Sequence, residues 1–198
     1  MNYEKKYQIL VGTHNKGKLK ELRYLLSKKL KLLSPKDLHI KSPVENGKTF
    51  LDNSKLKANY FYERSKIISI SDDSGLSISC LNGRPGIFSA RWAKKFGGFG
   101  NAMRKIIVMV DKKNQNRNAF FTCSLTIQIS ENKNISSIGK IYGKISNKIK
   151  GKNGFGYDSI FIPNGYKITF GQFLKKNKML MDHRNIAYQK LKRKVTFL

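Results

Sequence analysis

Two adjacent carboxylates, Asp72 and Asp73, stand in the run Ser71-Asp-Asp-Ser-Gly75 of a 198-residue chain that has 12 acidic residues against 40 Lys and Arg. They follow the β-branched stretch Ile67-Ile-Ser-Ile70, which reads as a buried strand, and Gly75 is expected to break the chain just beyond them. Acids at the end of a core strand occupy the place where α/β folds build their sites. A hard divalent cation such as Mg²⁺ seeks oxygen ligands of this kind and keeps several waters, which suits a polyphosphate substrate. The competing reading is a solvated turn, because Asp, Ser and Gly are all favoured there.

A second feature is the loop Gly12-Thr-His-Asn-Lys-Gly17-Lys18. It matches the first part of a P-loop, but Leu19 stands where that motif needs Ser or Thr for the metal. A strand-loop-helix with free N–H groups at the helix start still binds anions, so phosphate binding without the P-loop mechanism is expected. A third is Gly151-Lys-Asn-Gly-Phe155-Gly156-Tyr157-Asp158, whose glycines allow close backbone approach to a flat ligand. Its aromatic rings could stack on a base, the alternative being an ordinary hairpin loop. Glu45, the turn Gly83-Arg-Pro-Gly86 and the pair His183-Arg184 are each weaker: taken singly, they read as surface or turn residues.

Composition narrows the classes. The formal net charge is +28, but the 32 Lys are spread along the whole chain together with 17 Asn and 20 Ile. A nucleic-acid binder would concentrate its cations on one face, so most of this charge reads as solvated surface that attracts anionic substrates and at most binds nucleic acid weakly and without specificity. Cys80 and Cys123 make no disulfide framework, and three scattered histidines make no zinc site. The apolar run after Met1–Lys6 is too short for a signal peptide and nothing approaches a membrane span, so a cytoplasmic location is expected.

The elements that must position these residues alternate. A strand over 7–11 precedes a helix with Leu19, Leu22, Leu25, Leu26 and Leu30 at helical spacing, then a short strand near Leu32-Leu33. Thr49 and Asp52 form a capping box that opens a helix running to about Ser65. After the Asp pair, Leu76–Cys80 alternates like a separate strand, and Asn101–Val110 reads as a helix. A hairpin is expected from Ala119–Ser130 and Ile135–Ile149 around Glu131–Asn134, then a strand over Tyr157–Ile162 and a last helix from about Asp182. The mixture predicts an α/β class with a mixed sheet and no linker or repeat.

This order of segments resembles the inosine triphosphate pyrophosphatase family, enzymes that remove non-standard purine nucleoside triphosphates. The match runs from about residue 8 to 187. It rests on Thr13–Lys18 with Glu21, Thr49-Phe50 with Asn53 and Lys57-Ala58, Asp72–Leu76, Gly83–Gly86 with Ser89-Ala-Arg91, Gly154–Asp158, Thr169, Lys178 and His183-Arg184. The resemblance implies an elongated two-lobed fold around a long mixed β-sheet with flanking helices, one domain over residues 1–198, usually a homodimer, with the site in the cleft between lobes. It implies Mg²⁺-dependent hydrolysis of ITP, dITP or XTP to the monophosphate and pyrophosphate. Asp73 would accept the proton of the attacking water and contact the metal, with Glu45 as second metal ligand. Thr13, His14, Asn15, Lys16, Gly17, Lys18, Ser74 and Lys178 would hold the triphosphate. Phe155, Gly156, Tyr157, Asp158, His183 and Arg184 would enclose the base. Adjacent strand side chains point to opposite faces, so Asp72 need not join Asp73 at the metal.

The chain departs from the family pattern at Gln172 (for Glu), Ser159 (for Pro) and Asp182 (for Ser). A rival enzyme class, the septum-inhibitor-like pyrophosphatases acting on modified pyrimidine nucleotides, is disfavoured by the Thr-x-Asn opening and the Phe-Gly-Tyr-Asp and His-Arg elements. A rival of another kind is a basic nucleic-acid-binding protein.

Overall fold

A computed structural model describes residues 7–113 and 116–198; the Met1–Lys6 segment considered above lies outside them. Six strands form one sheet: β1 (Gln8–Val11), β2 (Lys31–Leu33), β3 (Ser69–Ile78), β4 (Asn118–Ser130), β5 (Lys133–Ile145) and β6 (Phe161–Pro163). Their spatial order is β2-β1-β3-β4-β5-β6. β1 runs parallel to both β2 and β3, with Ile9 opposite Leu32 and Val11 opposite Ile70. β5 and β6 are antiparallel, and the two residues between β4 and β5 permit only an antiparallel connection. The sheet is therefore mixed, as expected. The described residues form six α-helices: α1 (Lys16–Leu25), α2 (Phe50–Ser65), α3 (Ser89–Lys95), α4 (Phe99–Lys112), α5 (Lys175–Met181) and α6 (His183–Lys192). None is long and apolar enough to cross a membrane.

The chain divides into two compact units. The first comprises residues up to Asp73, Ser124–Gly139 and Arg184–Leu198; the second comprises Ser74–Cys123 and Lys140–His183. The first buries Ile9, Leu10 and Val11 of β1, Leu22 of α1, Phe61 of α2 and Leu191 of α6. The core of the second gathers Leu76 and Ile78, Ile106 and Val110 of α4, and the ring set Phe121, Phe161, Phe170 and Phe173. Full burial of one such side chain stabilises by about 1.5–3 kcal/mol.

Several local expectations hold. Thr49 caps α2: its Oγ1 accepts from Asp52 N at 3.1 Å while Asp52 Oδ2 accepts from Thr49 N at 2.9 Å. The helix ends at Ser65, where Lys66 turns left-handed at φ 56°. Others are corrected. Gly75 does not break the chain: β3 is one ten-residue strand, buried at nine positions, with Asp72 and Asp73 in its middle. A glycine accepts extended backbone as readily as a turn, and burial on both faces holds it extended. Helix α1 stops at Leu25, so Leu26 and Leu30 are buried from the connection rather than from the helix. Tyr157–Ile162 is not a strand throughout: Asp158–Ile160 form a 3₁₀ turn before β6. The hairpin turn is shorter than expected, only Glu131-Asn132, and β5 ends at Ile145. Cys123 is buried and Cys80 half-buried.

Candidate active site

In the first unit the Asp pair is met by cations from three other elements. Asp72 Oδ2 lies 3.3 Å from Lys18 Nζ on α1 and accepts from Arg184 Nε and Nη2 on α6 at 3.2 and 3.1 Å. Arg184 also donates through Nη1 to Glu21 on α1, and its side chain is 1% exposed. Asp73 is held separately. Its Oδ2 accepts from Asn53 Nδ2 at 3.0 Å, and its Oδ1 lies 3.9 Å from Lys57 Nζ, both on α2. Lys57 Nζ in turn contacts Glu45 Oε1 at 2.8 Å. Adjacent residues of one strand thus take different partners, as the alternation of a strand requires.

Asn53 ties these pieces together, because its Oδ1 accepts from Gly47 N at 2.8 Å while its Nδ2 donates to Asp73. One buried amide fixes both the Glu45 loop and the Asp73 carboxylate. Asn53 and Lys57 sit one turn apart on α2 and so share a face. Both match the family pattern in sequence, yet without a role. The only signal is two polar side chains at i and i+4 on a helix whose next position, Ala58, is apolar.

The electrostatics differ between neighbours. Burial pushes the Asp72 carboxyl up, but Lys18, Arg184 and Lys57 outweigh it and hold it below the usual carboxylate range. For Asp73 burial dominates and raises the carboxyl above its ordinary value, aided by Glu45, against the pull of Lys18 and Lys57. Burial lowers the Lys57 ammonium, but Asp73, Asp72 and Glu45 outweigh it and raise it. Four of the chain's twelve acids gather here around three cations, which leaves one formal negative charge in a protein of net +28.

The fit of a divalent cation can be judged from Lys57. Its ammonium already sits between one oxygen of Glu45 and one of Asp73, the place a cation would take. Two carboxylates completed by water and phosphate oxygens are what Mg²⁺ uses, rather than an all-protein cage. Among the described residues no group of three His, Cys, Asp or Glu forms such a cage. Glu45 and Asp73 therefore fit one hard cation.

The phosphate loop joins β1 to α1. Asn15 Oδ1 caps the helix by accepting from Gly17 N and Lys18 N at 2.9 and 3.1 Å, and Asn15 N donates to Thr13 Oγ1 at 3.2 Å. His14 is exposed, with Nδ1 2.7 Å from Ser42 Oγ; Lys16 is exposed and Gly17 half-buried. Gly12 is required: a Cβ there would lie 2.2 Å from Ser71 Oγ and 2.5 Å from Phe61. Ser74, half-buried, follows Asp73 on β3 and opens the second unit.

In the second unit the glycine-rich segment closes on itself. Asp158 Oδ2 accepts from Phe155 N at 2.9 Å, and Gly154 at φ 76° leaves no room for a Cβ, which would meet Asp158 Oδ2 at 2.1 Å. Gly156 is also left-handed, at φ 66°. Lys178 Nζ, 2% exposed, lies 3.0 Å from Asp158 Oδ2 and 3.5 Å from Asp182 Oδ2, and 5.0 Å from the centre of the Phe155 ring. His183 stacks on Phe121 at 4.8 Å and 12°.

Two residues of the expected base-enclosing set are packed inside the protein. Tyr157 is a core residue, 2% exposed, with its hydroxyl donating to Ser89 O at 2.8 Å and Phe99 edge-on at 5.2 Å. Phe155, by contrast, is half-buried. The Arg184 guanidinium donates to Glu21 and Asp72. The departures from the family pattern also find places. Gln172 Oε1 accepts from Thr169 N at 3.1 Å in a capping box, Ser159 Oγ donates to Gly151 O at 3.0 Å, and Asp182 is the second carboxylate on Lys178.

The model of the Ham1 family matches residues 9–194. A protein of Caulobacter vibrioides named dITP/XTP pyrophosphatase is 36% identical, covering 93% of this chain and 96% of its own length. One of Haemophilus influenzae with the same name is 37% identical, covering 96% and 100%. Among solved structures, a HAM1 protein from Coxiella burnetii superposes with a TM-score of 0.88 at 29% identity, covering 97% of this chain and 100% of that one. With matches of this length at both levels, the chain belongs to the Ham1 family.

Proposed function

We propose that the chain hydrolyses non-standard purine nucleoside triphosphates (dITP, XTP and ITP) to the monophosphate and pyrophosphate, with Mg²⁺. The observation that carries this reading is Asp73, a buried carboxylate raised above its ordinary range and fixed by Asn53, with Glu45 converging on the same ammonium. The name dITP/XTP pyrophosphatase carried by relatives 36–37% identical over nearly their whole length supports the substrate class.

Asp73 accepts the proton of a water that attacks the innermost phosphorus, and the leaving group is pyrophosphate. A base held above the ordinary carboxylate range takes that proton more readily near neutrality. Mg²⁺ bound by Asp73 and Glu45 would neutralise charge that develops on the phosphate oxygens. Thr13 to Lys18 present donors and ammonium groups to the triphosphate at the start of α1, with Ser74 beside Asp73. Arg184 acts through Asp72, holding its carboxylate charged without touching substrate. Phe155 offers the purine a ring to stack on, with Lys178 and Asp158 beside it and His183, stacked on Phe121, as a further base contact. Donors aimed at the purine 6-oxygen would accept hypoxanthine and xanthine and be left unpaired by the amino group of adenine. We place the enzyme in the cytoplasm as a homodimer.

The test is pyrophosphate release from dITP, XTP, ITP, ATP, GTP and dUTP, with Mg²⁺ and with chelator. Preference for the first three with loss in chelator is the expected result. Dominant dUTP turnover, or no release from any of them, would reject the assignment; light scattering checks the dimer.

A further inference from the structure

A basic concavity lies in the first unit, built from residues outside those assigned to the reaction. It is an open hollow of about 510 Å³ lined by Leu51 at the start of α2, Ser136, Ser137 and Ile138 of β5, Lys190 of α6, and Arg193 and Lys194 just beyond it. Lys190 Nζ donates to Ile138 O at 3.0 Å and Lys194 Nζ to Ser136 O at 3.4 Å. These carbonyls anchor two ammonium groups at the wall while leaving each of them further N–H donors. Ser137 Oγ donates to Ala187 O at 2.7 Å, which pins β5 to α6 beneath them.

Among the described residues no carboxylate lines the concavity. Of the elements that line it, β5 and α6 carry no acid, and on α2 Asp52 accepts from Thr49 N at 2.9 Å and Glu63 from Asn59 Nδ2 at 2.7 Å. Lysines scattered over a surface repel one another and spread into solvent, whereas these three cations share one hollow. Its volume falls in the range of small-molecule sites. A planar guanidinium with two ammonium groups and serine hydroxyls is phosphate-recognition chemistry. The apolar side chains of Leu51 and Ile138 provide a wall for an uncharged moiety, with no aromatic ring to stack on a base.

We infer that this concavity is a binding site for a phosphate-bearing small molecule of nucleotide size, separate from the Asp73 site and independent of the activity assigned to it. The occupant is read by its phosphates, so discrimination among bases is weak. The ligand is either inorganic pyrophosphate or a nucleoside monophosphate.

The test is an NMR titration of the ¹⁵N-labelled full chain, without Mg²⁺, using inorganic pyrophosphate and, separately, inosine monophosphate. Saturable shifts are expected at residues 136–138 and 190–194. Tighter binding of the monophosphate would mean that Leu51 and Ile138 contact the nucleoside; tighter pyrophosphate binding would mean that phosphate alone is read. Each outcome supports the site. The variant Lys190→Ala/Arg193→Ala/Lys194→Ala and the single variant Arg193→Glu should weaken binding at these residues by about tenfold or more, because removing even one charge-assisted hydrogen bond has an effect of that size. Turnover of dITP without added pyrophosphate should stay unchanged in both. Absence of shifts at those residues in the parent, equal affinity in the variants, or shifts produced only by single-stranded DNA would overturn the inference.

Discussion

The two units bury charge in different ways. In the first, Asp72, Asp73, Glu21 and Glu45 come from β3, α1 and a loop, and their cations come from α1, α2 and α6. In the second, Asp158, Lys178 and Asp182 lie within 25 residues of one another, and the lysine and its second aspartate are one turn apart. Each cluster has one more carboxylate than cations, against a chain of net +28. The first spreads its ions over many elements and separates two acids into different electrostatic states. The second compresses them beside aromatic rings. The function proposed above uses this difference: its base and metal site need carboxylates with unlike affinities for protons, whereas holding a flat ligand needs a rigid ring.

The sharpest way to break this contrast is at Asp73. Asp73→Asn keeps the shape and the contact with Asn53 but removes the proton acceptor. Turnover of dITP should fall by about 10²–10⁴-fold, the usual contribution of a positioned general base. Stability should change little, because burial already penalises the ionised form at this position. An unchanged kcat would remove Asp73 from the reaction. Arg184→Met tests the partner acid instead. It strands Asp72 and Glu21, both buried, without their guanidinium, and loss of one partner of a buried ion pair costs about 3–5 kcal/mol. Urea unfolding reads this directly. A cost under about 1 kcal/mol, the level of an exposed pair, would mean that Arg184 is solvated.

How far these features are legible in sequence follows from the range of each interaction. The α2 cap is readable because Thr49 and Asp52 are three residues apart and satisfy each other. The Asp pair stands out because acids are scarce. Its setting does not: Gly75 suggests a break, and only pairing with neighbouring strands keeps β3 extended through it. Helices α3 and α5, seven residues each, are too short to carry a periodic signal. Asn53 and Lys57 lie 20 and 16 residues from Asp73, and no local pattern states that they meet it. Arg184 lies 112 residues from Asp72. Family resemblance groups these residues; only the fold shows which neighbours each of them holds.

The aromatic segment offers the finest form of the comparison, because Phe155 and Tyr157 have equal standing in sequence and unequal standing in the fold. Phe155→Ala should weaken substrate binding by about 1–3 kcal/mol if the ring stacks on the base. The readout is a raised KM for dITP with kcat largely kept, and an unchanged KM would remove the ring from the site. Tyr157→Phe removes a single hydroxyl that donates to Ser89 O inside the core. Its expected cost is about 1 kcal/mol of stability, with Ser89 O left to find another donor, and no change in KM. A KM effect comparable to that of Phe155→Ala would mean that Tyr157 leaves the core when substrate binds. The ring would then belong to the ligand rather than to the packing of Phe99, and the second unit would share the first unit's habit of using buried groups for chemistry.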